Sequence, residues 1–136
     1  MNDDIASQLD LYVQAALGKK AEGLVVLDVR GLTSIADAFV ICSGRSNRQV
    51  SAIADHIERF LKKKGVRPLG VEGKGDGHWV LMDYGNVIIH VFYSETRSFY
   101  DLEGLWVDAK KIRTESMQAE QQTESDGFDG EEIIVD

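Results

Sequence analysis

Residues 70–106, GVEGKGDGHWVLMDYGNVIIHVFYSETRSFYDLEGLW, decide the architecture of this 136-residue chain. Within them, His78–Tyr84 and Val87–Phe92 are strand-like runs separated by Gly85-Asn86, a dipeptide that closes two-residue hairpins. A turn of that length pairs Tyr84 with Val87, Met82 with Ile89 and Val80 with Val91. Side chains alternate across a strand. One hairpin face therefore presents Val80, Met82, Tyr84, Val87, Ile89 and Val91, and needs a helix or other core element over it. The other presents Trp79, Leu81, Asp83, Ile88, His90 and Phe92. An acid and an imidazole are costly on a buried face unless they are paired. Trp79, Leu81 and Phe92 are unusual on an open face that does nothing. Pattern alone leaves two readings open: a second covered face with His90 in the core, or an exposed working surface.

Downstream, Ser94 or Ser98 can start a helix that ends near Trp106. Phe99, Leu102 and Trp106 follow one stripe of it, and Tyr100 and Glu103 share another. Arg97 stands one turn before Asp101, at the spacing of an i, i+4 ion pair. Trp, Tyr and Arg are common interface anchors. Trp79, Arg97 and Tyr100 are therefore candidates for partner contact, to be weighed against core packing or a surface salt bridge.

Upstream, Gly73, Gly75 and Gly77 mark a mobile loop, and Pro68 places a short strand over Arg67–Val71 at a sheet edge. Ser46–Lys64 is the clearest helix. Ser46 and Gln49 have capping-box spacing, Val50, Ile53, Ala54, Ile57, Phe60 and Leu61 form the apolar stripe, and Gly65 suits the C-cap. Lys62-Lys63-Lys64 fits the negative end of that helix better than a nucleic-acid patch. Leu24–Val29 and Ala38–Cys42 read as strands, and Asp3 to about Leu17 as a first helix that stops at Gly18. The order is α-β-β-α-β-β-β-α: a single mixed sheet of about five strands with helices packed on it, in the α/β class. Whether helices cover one face or both is not set by pattern.

The net charge of −8 is unevenly placed. Eight acids lie between Glu115 and Asp136, with no Lys or Arg among them. The 23 acids of the chain less those 8 leave 15 in residues 1–114, against all 15 bases. We therefore expect a neutral α/β domain over residues 1–114 and an acidic, disordered tail over 115–136. A neutral domain argues against binding nucleic acid mainly through phosphates. The longest apolar runs are too short for a membrane span. The N-terminal Met1-Asn2-Asp3-Asp4 resembles neither a secretory nor a transit signal, so a cytoplasmic protein is expected. The single cysteine, Cys42, sits in an apolar run and reads as a small buried hydrophobe.

Catalytic sets are not legible. His56, His78 and His90 lack metal-ligand spacing, so neither a metal nor a cofactor is expected. Ser43-Gly44-Arg45-Ser46 sits at a strand-to-helix junction, where nucleotidyltransferases place a Gly-Ser turn. Those enzymes also need paired strand acids for two metals, and here Asp83 and Asp28 are each alone. A nucleotide-binding protein or nucleotidyltransferase is the alternative reading, and an enzyme is not the expected one.

With these residues in view, the chain resembles the ribosomal silencing factor family (RsfS, Iojap-like). The stretches that carry the resemblance are LDVRGLTSIADAFVICSGRSNRQVSAIADHI, GVEG, HWVLMDYGNVIIHVF and RSFYDLEGLW, together about Leu27 to Trp106. Gln49 departs from the family, whose members usually carry a histidine there. The resemblance implies a nucleotidyltransferase-like fold that has lost its catalytic acids. It implies a non-enzymatic factor that docks on the large ribosomal subunit through large-subunit ribosomal protein fourteen and blocks subunit joining, repressing translation when nutrients are scarce. A part in large-subunit maturation and a homodimer in the free state are also implied, with no direct nucleic-acid readout. On this reading Trp79, Leu81, Arg97, Tyr100, Leu102 and Glu103 face the partner.

Overall fold

The computed structural model describes residues 5–119. The elements are α1 (Ile5–Leu17), β1 (Glu22–Asp28), β2 (Ala38–Gly44), α2 (Asn47–Lys63), β3 (Gly70–Glu72), β4 (Trp79–Asp83), β5 (Val87–Tyr93), α3 (Ser94–Tyr100), α4 (Leu102–Leu105) and β6 (Lys110–Lys111). The strands form one sheet in the order β3-β4-β5-β2-β1-β6. Only β2 and β5 run parallel; every other pair is antiparallel. β2 is buried along its whole length, which explains its unbroken apolar sequence.

The hairpin has the register expected from its turn. Val80 lies opposite Val91 and Met82 opposite Ile89, and the Tyr84 amide donates to the Val87 carbonyl at 2.9 Å. The first face carries Val80, Met82, Val87, Ile89 and Val91, all buried beneath α1 and α2. Leu9 and Val13 of α1 and Val50, Ile53, Ile57 and Leu61 of α2 complete that core. Each such side chain taken from water contributes about 1.5–3 kcal/mol. Cys42 lies in the same core, and burial pushes its thiol up to about 12, so it behaves as a hydrophobe. The second face is covered too, but incompletely. Leu27, Val29, Phe39, Ile41, Ile88 and Phe92 are buried there with Leu102 of α4, while Trp79, Leu81 and Trp106 stay partly open. Helices therefore sit on both faces, two long ones on the first and two short ones on the second.

The α2 signals work with one change of partner. Ser46 Oγ accepts from the Gln49 amide at 3.1 Å, as a cap should. Gln49 Oε1 reaches back to the Arg45 amide at 2.7 Å, one residue before the position used in the standard capping box. At the other end Gly65 takes φ +83° and its amide bonds the Lys62 carbonyl, with Lys62 and Lys63 in the last turn.

Several features depart from the sequence reading. The Gly73–Gly77 loop, read as mobile, is tied to α2. Lys74 Nζ lies 2.7 Å from Asp55 and 3.3 Å from Glu58, and Ser51 Oγ donates to the Lys74 carbonyl. Its glycines answer to crowding: a Cβ on Gly73 would stand 2.0 Å from the Trp79 carbonyl oxygen, and one on Gly77 2.6 Å from that of Asn47. The sheet has six strands, not about five, because Lys110–Lys111 pairs with Leu27 and Asp28 at the edge. Two lysines carry no strand signal, although they suit an edge.

The described fold also continues beyond residue 114. Positions 115–119 form a helical turn clipped to α1. Asp10 accepts from the Ser116 amide at 2.9 Å and the Ser116 hydroxyl at 2.6 Å. Burial raises the Asp10 carboxyl, but bonds from Ser116 and Gln14 outweigh it and hold the group down to about 2. The expected tail from residue 120 onward lies outside the described residues.

Candidate functional site

The incompletely covered face is built around Trp79. This first residue of β4 sits opposite Phe92, with ring centroids 4.7 Å apart, and α3 brings Tyr100 to 5.0 Å on another side. The indole Nε1 donates to His90 Nδ1 at 3.1 Å. That bond fixes the His90 proton on Nε2, which has no partner among the described residues. His90 is buried, stacked against Phe92 and edge-on to Phe39. Of the two readings left open, His90 therefore takes the core one, and burial lowers its pKa to about 4.

This depressed value has a consequence for stability. Unfolded, the imidazole has an ordinary pKa of 6.5; folded, it resists protonation down to about 4. The unfolded chain binds more protons between those values, so the contribution is fully present above pH 6.5 and is lost as pH falls toward 4. The expected loss is roughly 3 kcal/mol. Chemical denaturation at a series of pH values should show it. His90→Gln should flatten the curve in that window, and an unchanged slope would assign the acid sensitivity to other groups.

The six residues expected to face a partner divide by environment. Tyr100 is 50% exposed, and Trp79 and Leu81 are half-buried beside it. Leu102 is buried in the second core. Arg97 is turned inward, its side chain only 15% exposed. Its Nη2 donates to the Gly23 carbonyl at 2.8 Å and to Glu103 at 2.7 Å, and its Nη1 to Ser43 Oγ at 3.2 Å. The i, i+4 pair with Asp101 is not formed. Asp101 takes left-handed φ +48° and accepts from the Gly104 amide to start α4, so Glu103 is the residue left for the guanidinium. The Arg97 hydrogen bond in turn lowers the Glu103 pKa.

Phe99, Leu105 and Val107 were missing from the expected set, and they are the most exposed large apolar groups of this region, at 79%, 74% and 77%. Left-handed Asp101 ends α3, so Phe99 does not share a stripe with Leu102 and Trp106 as it would in a continuous helix. The only signal for this break was an Asp-Leu-Glu sequence able to cap a new helix.

The nucleotide-binding alternative loses its groups one by one. Ser43 is buried, accepts from Arg97 and donates to the Glu22 carbonyl. Ser46 caps α2, and Arg45 pairs with Glu22. Asp83 accepts from the Gly85 amide in the hairpin turn, and Asp28 pairs with Arg30. No cluster of three or more potential metal ligands occurs among the described residues, and no described helix is long and apolar enough to cross a membrane.

Fold and face together define a small α/β protein whose distinctive surface is aromatic and whose polar groups serve mostly to hold the fold. Comparison with known proteins gives that class a family. The family model described as "Ribosomal silencing factor during starvation" matches residues 2–132, and the chain belongs to this family. A ribosomal silencing factor of Halalkalibacterium halodurans is 41% identical over 109 residues, spanning 80% of this chain and 93% of that protein. A crystal structure of a protein from Chromobacterium violaceum superposes with a TM-score of 0.72 at 36% identity, covering 82% of this chain and 92% of that one. More distantly, the mouse protein named "Mitochondrial assembly of ribosomal large subunit protein 1" is 32% identical over 101 residues, which are 72% of this chain and 44% of the mouse protein. The family is one of regulatory, ribosome-associated factors and not of known enzymes.

Proposed function

We propose that this protein binds the large ribosomal subunit through large-subunit ribosomal protein fourteen and blocks joining of the small subunit by steric exclusion. Translation is thereby repressed under nutrient limitation, and the same docking contributes to large-subunit maturation. The protein acts in the cytoplasm and is a homodimer when free. The observation that carries the reading is the exposed aromatic face, with Phe99 and Tyr100 open beside a half-buried Trp79. Such a face suits a protein target. Equal numbers of acids and bases in residues 1–114 fit docking on protein rather than on phosphates.

Co-sedimentation with separated ribosomal subunits tests it. The protein should pellet with the large subunit only, and adding it before the small subunit should suppress the light-scattering rise of subunit joining. Failure to pellet with either subunit would overturn the proposal. In a parallel calorimetric titration, magnesium-ATP should give no heat of binding, because the Ser43–Ser46 turn is already occupied by internal bonds.

A further inference from the structure

Between the Gly73–Gly77 loop and α3 lies an open groove of about 650 Å³ at the end of the hairpin. Trp79, Tyr93, Phe99 and Tyr100 give it aromatic walls. Asp76 enters from the loop and Glu95 from α3, His78 and Thr96 complete the lining, and no Lys or Arg is part of it. Neither acid is engaged in an ion pair among the described residues. The groove is held in shape from both sides. Lys74 anchors the loop to α2, and Ser94 Oγ donates to the Gly44 carbonyl at 3.0 Å to fix the start of α3.

We infer that this groove receives an arginine side chain presented by the protein component of the large subunit, a step that rests on the function proposed above. The argument is one of complementarity. Aromatic faces attract cations through their quadrupoles, and a planar guanidinium stacks on them better than an ammonium does. Two carboxylates from separate elements supply acceptors for its N–H groups. A phosphate would meet two uncompensated acids here, and a purely apolar side chain would leave both unused. In a domain whose acids and bases balance overall, Asp76 and Glu95 give this end of the aromatic face a local negative sign. They would set the register of docking and contribute to both its rate and its affinity.

The test uses the full-length double variant Asp76→Asn/Glu95→Gln, which removes both charges and keeps shape. Both side chains are exposed, so the fold is not at stake. Sedimentation binding to purified large subunits should weaken about tenfold, and most of the salt dependence should disappear. A second full-length variant, Glu131→Gln/Glu132→Gln, removes two charges elsewhere and should bind like wild type. Unchanged or tighter binding of the Asp76/Glu95 variant would overturn the groove proposal while leaving the function standing. So would an equal loss in the Glu131/Glu132 variant, which would make the effect one of net charge. A change in self-association with subunit affinity unaltered would assign the groove to a second copy of the chain and also overturn it. If wild-type protein does not bind the large subunit at all, it is the function that fails, and the arginine occupant with it.

Discussion

Phe99→Ala/Tyr100→Ala should lose large-subunit binding by about a hundredfold or more while melting within a few degrees of the wild type. The expected binding loss is that of two aromatic anchors, about 3 kcal/mol at least. The expected stability loss is small because Phe99 stands largely in solvent, Tyr100 is half exposed and packs on the half-buried Trp79 and on Phe99, and neither belongs to a buried core. Their one shared contact, edge to face at 5.1 Å, is itself on the surface. Trp79→Ala should behave differently. It removes packing against Phe92 and the bond to His90 Nδ1, so it should cost about 2–4 kcal/mol of stability together with the binding. Subunit co-sedimentation paired with thermal melts separates the cases. If Phe99→Ala/Tyr100→Ala binds normally, the aromatic face is not the docking surface, whatever Trp79→Ala does.

The contrast between these variants also marks how far residues alone could carry the reading. The hairpin was fully legible, because Gly85-Asn86 fixes a register and the register fixes two faces. Helix α2 was legible for the same kind of reason: cap, stripe and stop agree. The second face was not. Trp79, Leu81, His90 and Phe92 alternate correctly under either reading, and what decides between them is the cover supplied by α3 and α4. That cover depends on a left-handed Asp101, a conformation that sequence rarely announces outside glycine. A continuous helix allows Phe99 a core position and leaves Arg97 open to a partner or to packing; with the break, Phe99 is exposed and Arg97 is turned inward. The lysine strand β6 and the Ser116 clip on Asp10 escaped for a simpler reason. Each is a long-range contact made by residues with no local preference for it.

Arg97 is where the two accounts diverge most sharply in what they expect of an experiment. If it were a partner anchor, Arg97→Ala would spare the fold and abolish docking. Its surroundings lead to the opposite expectation. The guanidinium joins α3 to the β1 and β2 ends by donating to the carbonyls of Glu22 and Gly23 and to Ser43 Oγ, and joins α3 to α4 through Glu103. Removing it leaves Glu103 without its cation and the backbone acceptors without their donor. Groups that are little exposed recover only part of that loss from water. Arg97→Ala should therefore destabilise the protein by about 2–4 kcal/mol, and added salt should not mimic it, since a shielded pair is weakly screened. Arg97→Lys should restore only a fraction, because one ammonium cannot reproduce a fork spread over several acceptors. Docking should weaken only as far as α3 loosens and carries Phe99 and Tyr100 with it. Glu103→Gln, which keeps a neutral acceptor for the same fork, should fall between the wild type and Arg97→Ala in both readouts. A stable Arg97→Ala protein that no longer binds the large subunit would return Arg97 to the interface and sink the internal role argued for it.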